Sequence, residues 1–207
     1  MVEYFVNGGP FMWPILILLI AGLGISAERF YSLIMSSTNT KEFFDDVIKS
    51  LDNDGIDNTI ELCNNTPGPV AEIFHAGLSR FHRGLREVEK AVQDAGGLEM
   101  SFLEKNMIWM NAVITIAPML GFTGTVAGMV NAFDAIAAAN DISPAVVAGG
   151  ISQALLTTAF GLIVAMIIQI FQNFFVSMID KLILDMEENS VKFMDQLHLE
   201  YEKLAKS

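Results

Sequence analysis

Three stretches of the chain are apolar for long enough to cross a lipid bilayer: residues 11–27, 108–133 and 146–179. Roughly 20 apolar residues span a hydrocarbon core about 30 Å thick, because a helix rises ~1.5 Å per residue and satisfies its own backbone. The first stretch is minimal; Glu28 and Arg29 close it, and residues 30–35 continue an apolar pattern beyond them. The third is too long. At ~1.5 Å per residue it would reach about 50 Å, so it is expected to tilt or to run past the bilayer as a helical extension.

Residues 39–105 follow a different pattern, that of several amphipathic helices separated by turn signals. Thr40 before Lys41 and Glu42 has the chemistry of a helix N-cap, Asn53-Asp54-Gly55 is a break, and Thr66-Pro67-Gly68-Pro69 is the strongest punctuation in the chain. Val70, Ile73, Phe74, Gly77, Leu78 and Phe81 then recur at helical spacing and mark one buried stripe. A further helix is predicted from Leu85; Leu98, Phe102 and Met107 suggest that it feeds the second span without a loop. In the tail, Met194, Leu197, Tyr201 and Leu204 form another stripe, whose partner would be a loop helix or a second copy of the chain. No strand pattern, internal repeat or low-complexity segment competes.

The predicted architecture is all-α and polytopic. Residues 1–35 hold an N-terminal segment and the first transmembrane helix, 36–106 a helical loop domain, 107–135 the second span, 136–145 a short outer link, 146–180 the third span, and 181–207 a C-terminal helix. Charge orients it. The 12 Lys and Arg residues fall within 29–105 and 181–206, and none lies between. Basic residues beside spans stay on the cytoplasmic side, so the loop and tail are expected inside, and the N-terminus and outer link outside. Trp13 and Trp109 fit interfacial anchors at opposite ends of their spans. No basic segment precedes the first span and no small-residue cleavage pattern ends it, so it is not expected to be a cleaved signal.

Composition narrows the function classes. With 52% hydrophobic and 17% charged residues, the chain reads as an integral membrane protein with one soluble insert. A net charge of −12 argues against nucleic-acid binding. The single cysteine, Cys63, cannot form an intrachain disulfide. Cys63, His75 and His82 lack the tight spacing of a zinc site, so no metal and no cofactor is expected. No nucleophile with an adjacent base and no phosphate loop is found, which argues against an enzyme.

The spans themselves carry a polar line. Gly121, Thr125, Gly128, Ala132 and Ala135 share one face of the second span, where Gly124 and Gly128 also form a GxxxG pair. Ala154, Thr158, Gly161, Ala165, Gln169 and Gln172 share one face of the third. Small residues let helix backbones approach closely in lipid, which is one reading of both faces. The other is a narrow hydrated seam lined by Thr125, Thr158, Thr157 and Gln153, able to pass an ion or to accept a guest helix. The only ionisable residues between 108 and 179 are Asp134 and Asp141, and Asp134 lies about 14 Å beyond Thr125 along a helix. They read either as solvated loop acids or as a mouth that gathers cations. A proton relay needs a group that changes protonation state in mid-membrane, so a partner would have to supply it.

Residues 117–129, APMLGFTGTVAGM, and 149–162, GGISQALLTTAFGL, closely resemble the second and third spans of the ExbB/TolQ family, relatives of the flagellar stator subunit MotA, with the ExbB type the nearer. The three-span plan, the large loop and the helical tail match too. The resemblance implies an ion-driven motor subunit of the inner membrane of a Gram-negative bacterium. It would form a ring, a homopentamer in the ExbB type, around the single spans of a dimeric ExbD-like partner whose aspartate binds the proton. Force would pass to a TonB-like protein serving outer-membrane transport. The family's pore-facing threonines carry over to Thr125 and Thr158. Where the family typically has a glutamate, this chain has Gln153, which can hydrogen-bond but not titrate. With Thr157 and Thr158 it would also suit a hydrated sodium path. A TolQ-type envelope motor and a non-conducting scaffold are the competing readings.

Overall fold

The computed structural model describes residues 2–36, 40–139 and 144–206. Its helices are α1 (Val2–Asn7), α2 (Met12–Ser36), α3 (Thr40–Asn53), α4 (Gly55–Asn65), α5 (Pro69–Leu78), α6 (Leu85–Leu103), α7 (Met107–Ala139) and α8 (Pro144–Lys206), with a 3-10 turn at Phe81–Arg83. Among the described residues there is no strand, and three helical stretches are long and apolar enough to cross a membrane. The chain is thus an all-α polytopic membrane protein. It divides into two compact units, residues 1–29 with 106–174, and residues 30–105 with 175–207.

In the first unit, α1 ends at a turn where Gly9 takes a left-handed φ of 77° and Pro10 follows, a combination that stops one helix and starts the next. At the far end of this unit's part of α2, Arg29 is only 2% exposed. Its Nε and terminal nitrogen donate to the Glu28 carboxylate at 2.7 and 2.6 Å, and Asn106 donates to the same carboxylate at 3.2 Å. Buried guanidinium needs such a partner, since an uncompensated buried charge is strongly destabilising. Only 22–33% of the most apolar window of each span is buried within the chain. The remaining apolar surface must meet lipid or protein.

The second unit is built around stacked rings. Phe74 of α5 lies 4.1 Å from Phe193 of α8 with their planes 11° apart, and Phe43 of α3 stacks on the other partner of that cluster, Phe74, at 5.9 Å. Gly77 makes room: a Cβ there would sit 2.9 Å from Val92 and 3.1 Å from Phe193. Along α8's run in this unit the buried residues are Phe175, Ile179, Leu182, Met186, Asn189, Phe193 and Leu197, a helical stripe whose Phe193 is seated on α5. Of the predicted tail stripe, Leu197 is buried and Tyr201 reaches Phe81 at 6.1 Å, whereas Met194 is half-buried beside the buried Phe193 and the Leu204 side chain lies outside the described residues. Thr59 ties α4 to α3 by donating to Ser50 at 3.0 Å.

Two local expectations change. The helix from Leu85 does not run unbroken into the second span: α6 ends at Leu103, and Asn106 turns the chain with a φ of 65° before α7 begins. Asparagine tolerates that left-handed conformation better than most residues. The stripe through Phe81 is also not one helix, since α5 stops at Leu78 and Phe81 reaches the core from the 3-10 turn. Thr40 is the first helical residue of α3. Residues 140–143 of the outer link, Asp141 included, lie outside the described residues.

Burial pushes the Cys63 thiol up to about 12, so almost no thiolate exists near neutral pH. Cys63 should resist alkylation in the folded chain at pH 8 and react fully in urea. That labelling reads the second unit's stability. Phe193→Ala, which empties the ring stack, should destabilise it by about 3–5 kcal/mol, seen as a lower urea midpoint for Cys63 labelling.

Candidate functional site

The segment of α7 from Ala117 to its C-terminal end and the first half of α8's run in the first unit approach one another closely enough that side chains larger than hydrogen are excluded at several positions. A Cβ on Gly161 would stand 2.5 Å from the Ala117 carbonyl oxygen and 3.2 Å from the Gly121 Cα. A Cβ on Gly121 would stand 3.0 Å from the Thr157 carbonyl, and one on Gly128 would be 3.1 Å from the Gly150 carbonyl and 3.2 Å from the Ala154 nitrogen. Contacts therefore pair low numbers on α7 with high numbers on α8, as in antiparallel packing. Lipid supplies no hydrophobic drive between helices, so this backbone approach is what the small residues provide.

The approach brings two hydroxyls together. Thr158 of α8 donates to the Gly121 carbonyl of α7 at 3.0 Å, and Thr125 donates to the Phe122 carbonyl of its own helix at 2.5 Å. Their oxygens lie 3.4 Å apart, and both residues are half-exposed. When each proton is directed at its carbonyl, lone pairs remain on both hydroxyl oxygens. Such a pair can accept a hydrogen bond or help solvate a cation, and it has no charge to change.

Thr157 and Gln153 belong elsewhere. One residue along an α-helix is a rotation of about 100°, and Thr157 points into the unit, 0% exposed. Its hydroxyl lies 2.9 Å from the Gly8 carbonyl, beyond the end of α1, and 2.8 Å from the Gln153 carbonyl. Gln153, one turn earlier on the same face, lays its amide nitrogen where a Cβ on Gly9 would be. Gly124 faces Thr157, with the Thr157 Cβ 2.8 Å from where its own would stand. The four polar residues singled out in the sequence are thus two pairs on two faces. Ala154 is buried against Gly128.

Asp134 is an exposed residue of α7, distant from the threonine pair along the helix. Among the described residues no group of three His, Cys, Asp or Glu side chains could hold a metal ion. Gln172 carries a buried carboxamide oxygen without a hydrogen-bond partner, on the same face of α8 as Thr158. Sequence reasoning placed Gln172 on that face but had no means of finding α1 or the Gly8 carbonyl, which only the folded chain brings to Thr157.

Glycine crowding gives a test with two signs. Gly161→Ala should overpack the helix pair and destabilise the purified chain by about 1–3 kcal/mol. Gly149, with nothing within 4 Å of its would-be Cβ, has no such conflict. Gly149→Ala should leave stability unchanged or raise it by up to ~1 kcal/mol through helix propensity. Thermal denaturation in detergent compares the two, and equal losses would refute the close approach.

Comparison with known proteins identifies the family. The sequence model of the MotA/TolQ/ExbB proton channel family matches residues 65–188, which include α7 and the threonine-bearing part of α8. The chain is 31% identical over 180 residues to a putative biopolymer transport protein ExbB homolog of Methanothermobacter thermautotrophicus, covering 86% of this chain and 64% of that protein. It is 27% identical to the putative biopolymer transport protein ExbB-like 3 of Synechocystis, covering 83% and 82%. The Tol-Pal system protein TolQ of Pseudomonas aeruginosa is 34% identical over 108 residues, 46% of each chain. The chain thus spans a little under two thirds of the archaeal relative and most of the cyanobacterial one. Three membrane-length apolar stretches, the glycine-mediated α7/α8 pair and the match across both helices lead to one conclusion: this chain belongs to the MotA/TolQ/ExbB proton channel family.

Proposed function

We propose that the chain is an ExbB-like subunit of an inner-membrane motor, in which Thr125 and Thr158 line an ion path that a partner completes. The observation that carries this reading is the threonine pair: two hydroxyl oxygens 3.4 Å apart on half-buried residues, each within hydrogen-bond reach of a carbonyl, that of Phe122 or of Gly121. An acceptor pair of this kind suits a protonated carboxyl group or a hydrated cation. Neither residues 108–133 nor residues 146–179 contain an ionisable side chain, so on this reading the titrating group comes from outside the two spans. An ExbD-like dimer, each member contributing one span with an acidic residue, fits that need. The apolar surface left open on α7 and α8, with Phe122, Val126, Leu155 and Met166 exposed, gives further copies and lipid a surface to cover, and a ring of five is the proposed assembly.

On this reading the loop and tail face the cytoplasm, α1 faces outward, and the proton-motive force is passed through a TonB-like protein to outer-membrane transport. A TolQ-like role in the envelope is the alternative, supported by the resemblance to TolQ over α7 and α8. A non-conducting scaffold would use the same packing and leave the hydroxyl pair without purpose.

Co-reconstitution with an ExbD-like partner in liposomes, following internal pH under an imposed gradient, tests the proposal. Thr158→Val should lower proton flux at least tenfold, while Thr158→Ser should keep most of it. An interhelical hydrogen bond in a membrane contributes only about 0.6 kcal/mol on average, so the valine variant should fold. Equal flux in wild type and Thr158→Val would rule out the path. Lithium or sodium in place of the proton gradient distinguishes the coupling ion.

A further inference from the structure

Helix α1 has little of its own to hold it in place. It is 6 residues long, whereas isolated helices shorter than about 12–15 residues are marginal in water. Tyr4 and Val6 are exposed, and its main aromatic contact, Phe5 edge-on to Trp13 at 5.3 Å, lies within the same hairpin with α2. Further along, α2 packs on α8 through apolar contacts such as Gly22 against Ile168, but at the turn between α1 and α2 the contact with α8 is polar and buried. The Thr157 hydroxyl reaches the Gly8 carbonyl at 2.9 Å with no solvent exposure, and Gly8 itself is buried. Next to it the Gln153 amide occupies the space over Gly9, whose left-handed φ of 77° already favours glycine. Gly124 of α7 leaves the room in which the Thr157 side chain stands. Three segments of one unit converge on a single hydroxyl.

We propose that Thr157 and Gln153 form a latch that seats residues 2–12 against α8, acting as positioning residues for α1 and for the start of α2. Thr158, the next residue, serves the opposite pairing with Thr125, so the latch can be released without disturbing that pair. The latch fixes where the first span begins relative to the α7/α8 pair. Met12, 1% exposed, and Ile15, 2% exposed, follow directly after the turn and are carried into the core with it. The inference concerns packing within one chain and stands independently of ion flow.

Hydrogen–deuterium exchange on the full chain in lipid nanodiscs tests it. Thr157→Val keeps the shape of the side chain and removes its donor, and the loss of one buried hydrogen bond should speed exchange across residues 2–12 by about tenfold. Thr157→Ser should restore protection to near the wild-type level, and Thr158→Val should leave residues 2–12 unchanged. Gly9→Ala attacks the latch from the other side, adding a Cβ where the Gln153 amide lies, and should release the same residues while α7 and α8 remain protected. Wild-type exchange of residues 2–12 in both Thr157→Val and Gly9→Ala would overturn the latch. So would a failure of Thr157→Ser to restore protection, or release by Thr158→Val to the same extent.

Discussion

The close approach of α7 and α8 is the constraint on which the rest of the membrane-embedded structure depends. In lipid the tails are as apolar as leucine, so two helices gain little by hiding leucines from them. What they can gain is dispersion between backbones, and that requires the absence of side chains at the crossing. Gly161 against the Ala117 carbonyl, Gly121 against Thr157, and Gly128 against Gly150 meet this condition over about three turns. The polar chemistry follows from it. Thr158 reaches a carbonyl on the neighbouring helix at 3.0 Å because Gly121, which owns that carbonyl, has no side chain in the way. At ~0.6 kcal/mol the bond is too weak to hold the helices itself. The glycines set the spacing, and the spacing sets the hydroxyl geometry.

The loop-and-tail unit is organised by a different force. There the helices are amphipathic and burial of large rings does the work: Phe43, Phe74 and Phe193 form one stack, with Phe193 set against the glycine at position 77, and Phe81 meets Tyr201 in a second pair. One chain therefore uses glycine in two ways. Gly161 and Gly121 bring backbones together, whereas Gly77 makes space for a ring. Substituting alanine changes the first by separating helices and the second by displacing Phe193.

Much of this was legible in the sequence because the relevant signals are long. Apolar runs of membrane length located the three spans, and Asn53-Asp54-Gly55 and Thr66-Pro67-Gly68-Pro69 located the ends of α3, α4 and the start of α5. Spacing also put Gly121, Thr125, Thr158 and Gly161 on faces that meet. Short signals were less legible. The break before α7 rests on one asparagine at φ 65°, and the 3-10 turn keeps Phe81 in the core while leaving the hydrophobic pattern unchanged. Grouping Thr157 and Gln153 with Thr158 failed to anticipate the two faces because adjacent residues differ by about 100°. Which side of a helix finds which neighbour depends on a segment more than a hundred residues away in sequence, Gly8 and Gly9. No local pattern encodes that.

The chemistry of the two threonine pairs explains why they can coexist one residue apart. A hydroxyl has a single proton, and its direction decides whether the oxygen presents a donor or an acceptor to whatever comes next. At Thr157 that proton is spent inside the unit, between the Gly8 and Gln153 carbonyls, and the residue is sealed from solvent. At Thr125 and Thr158 the protons also go to carbonyls, yet the oxygens remain half-exposed. The outward pair is thus an acceptor in its resting state. A guest that arrives as a carboxylate would meet lone pairs unless a hydroxyl turned away from its carbonyl, whereas one that arrives protonated could donate to them at once. On the proposed path the pair would therefore suit the neutral form of a partner's acid better than its anion. Charge movement on the proposed path would then be a property of the guest, and what this chain would contribute is an uncharged hydroxyl pair that receives the neutral form of an acid more readily than the anion.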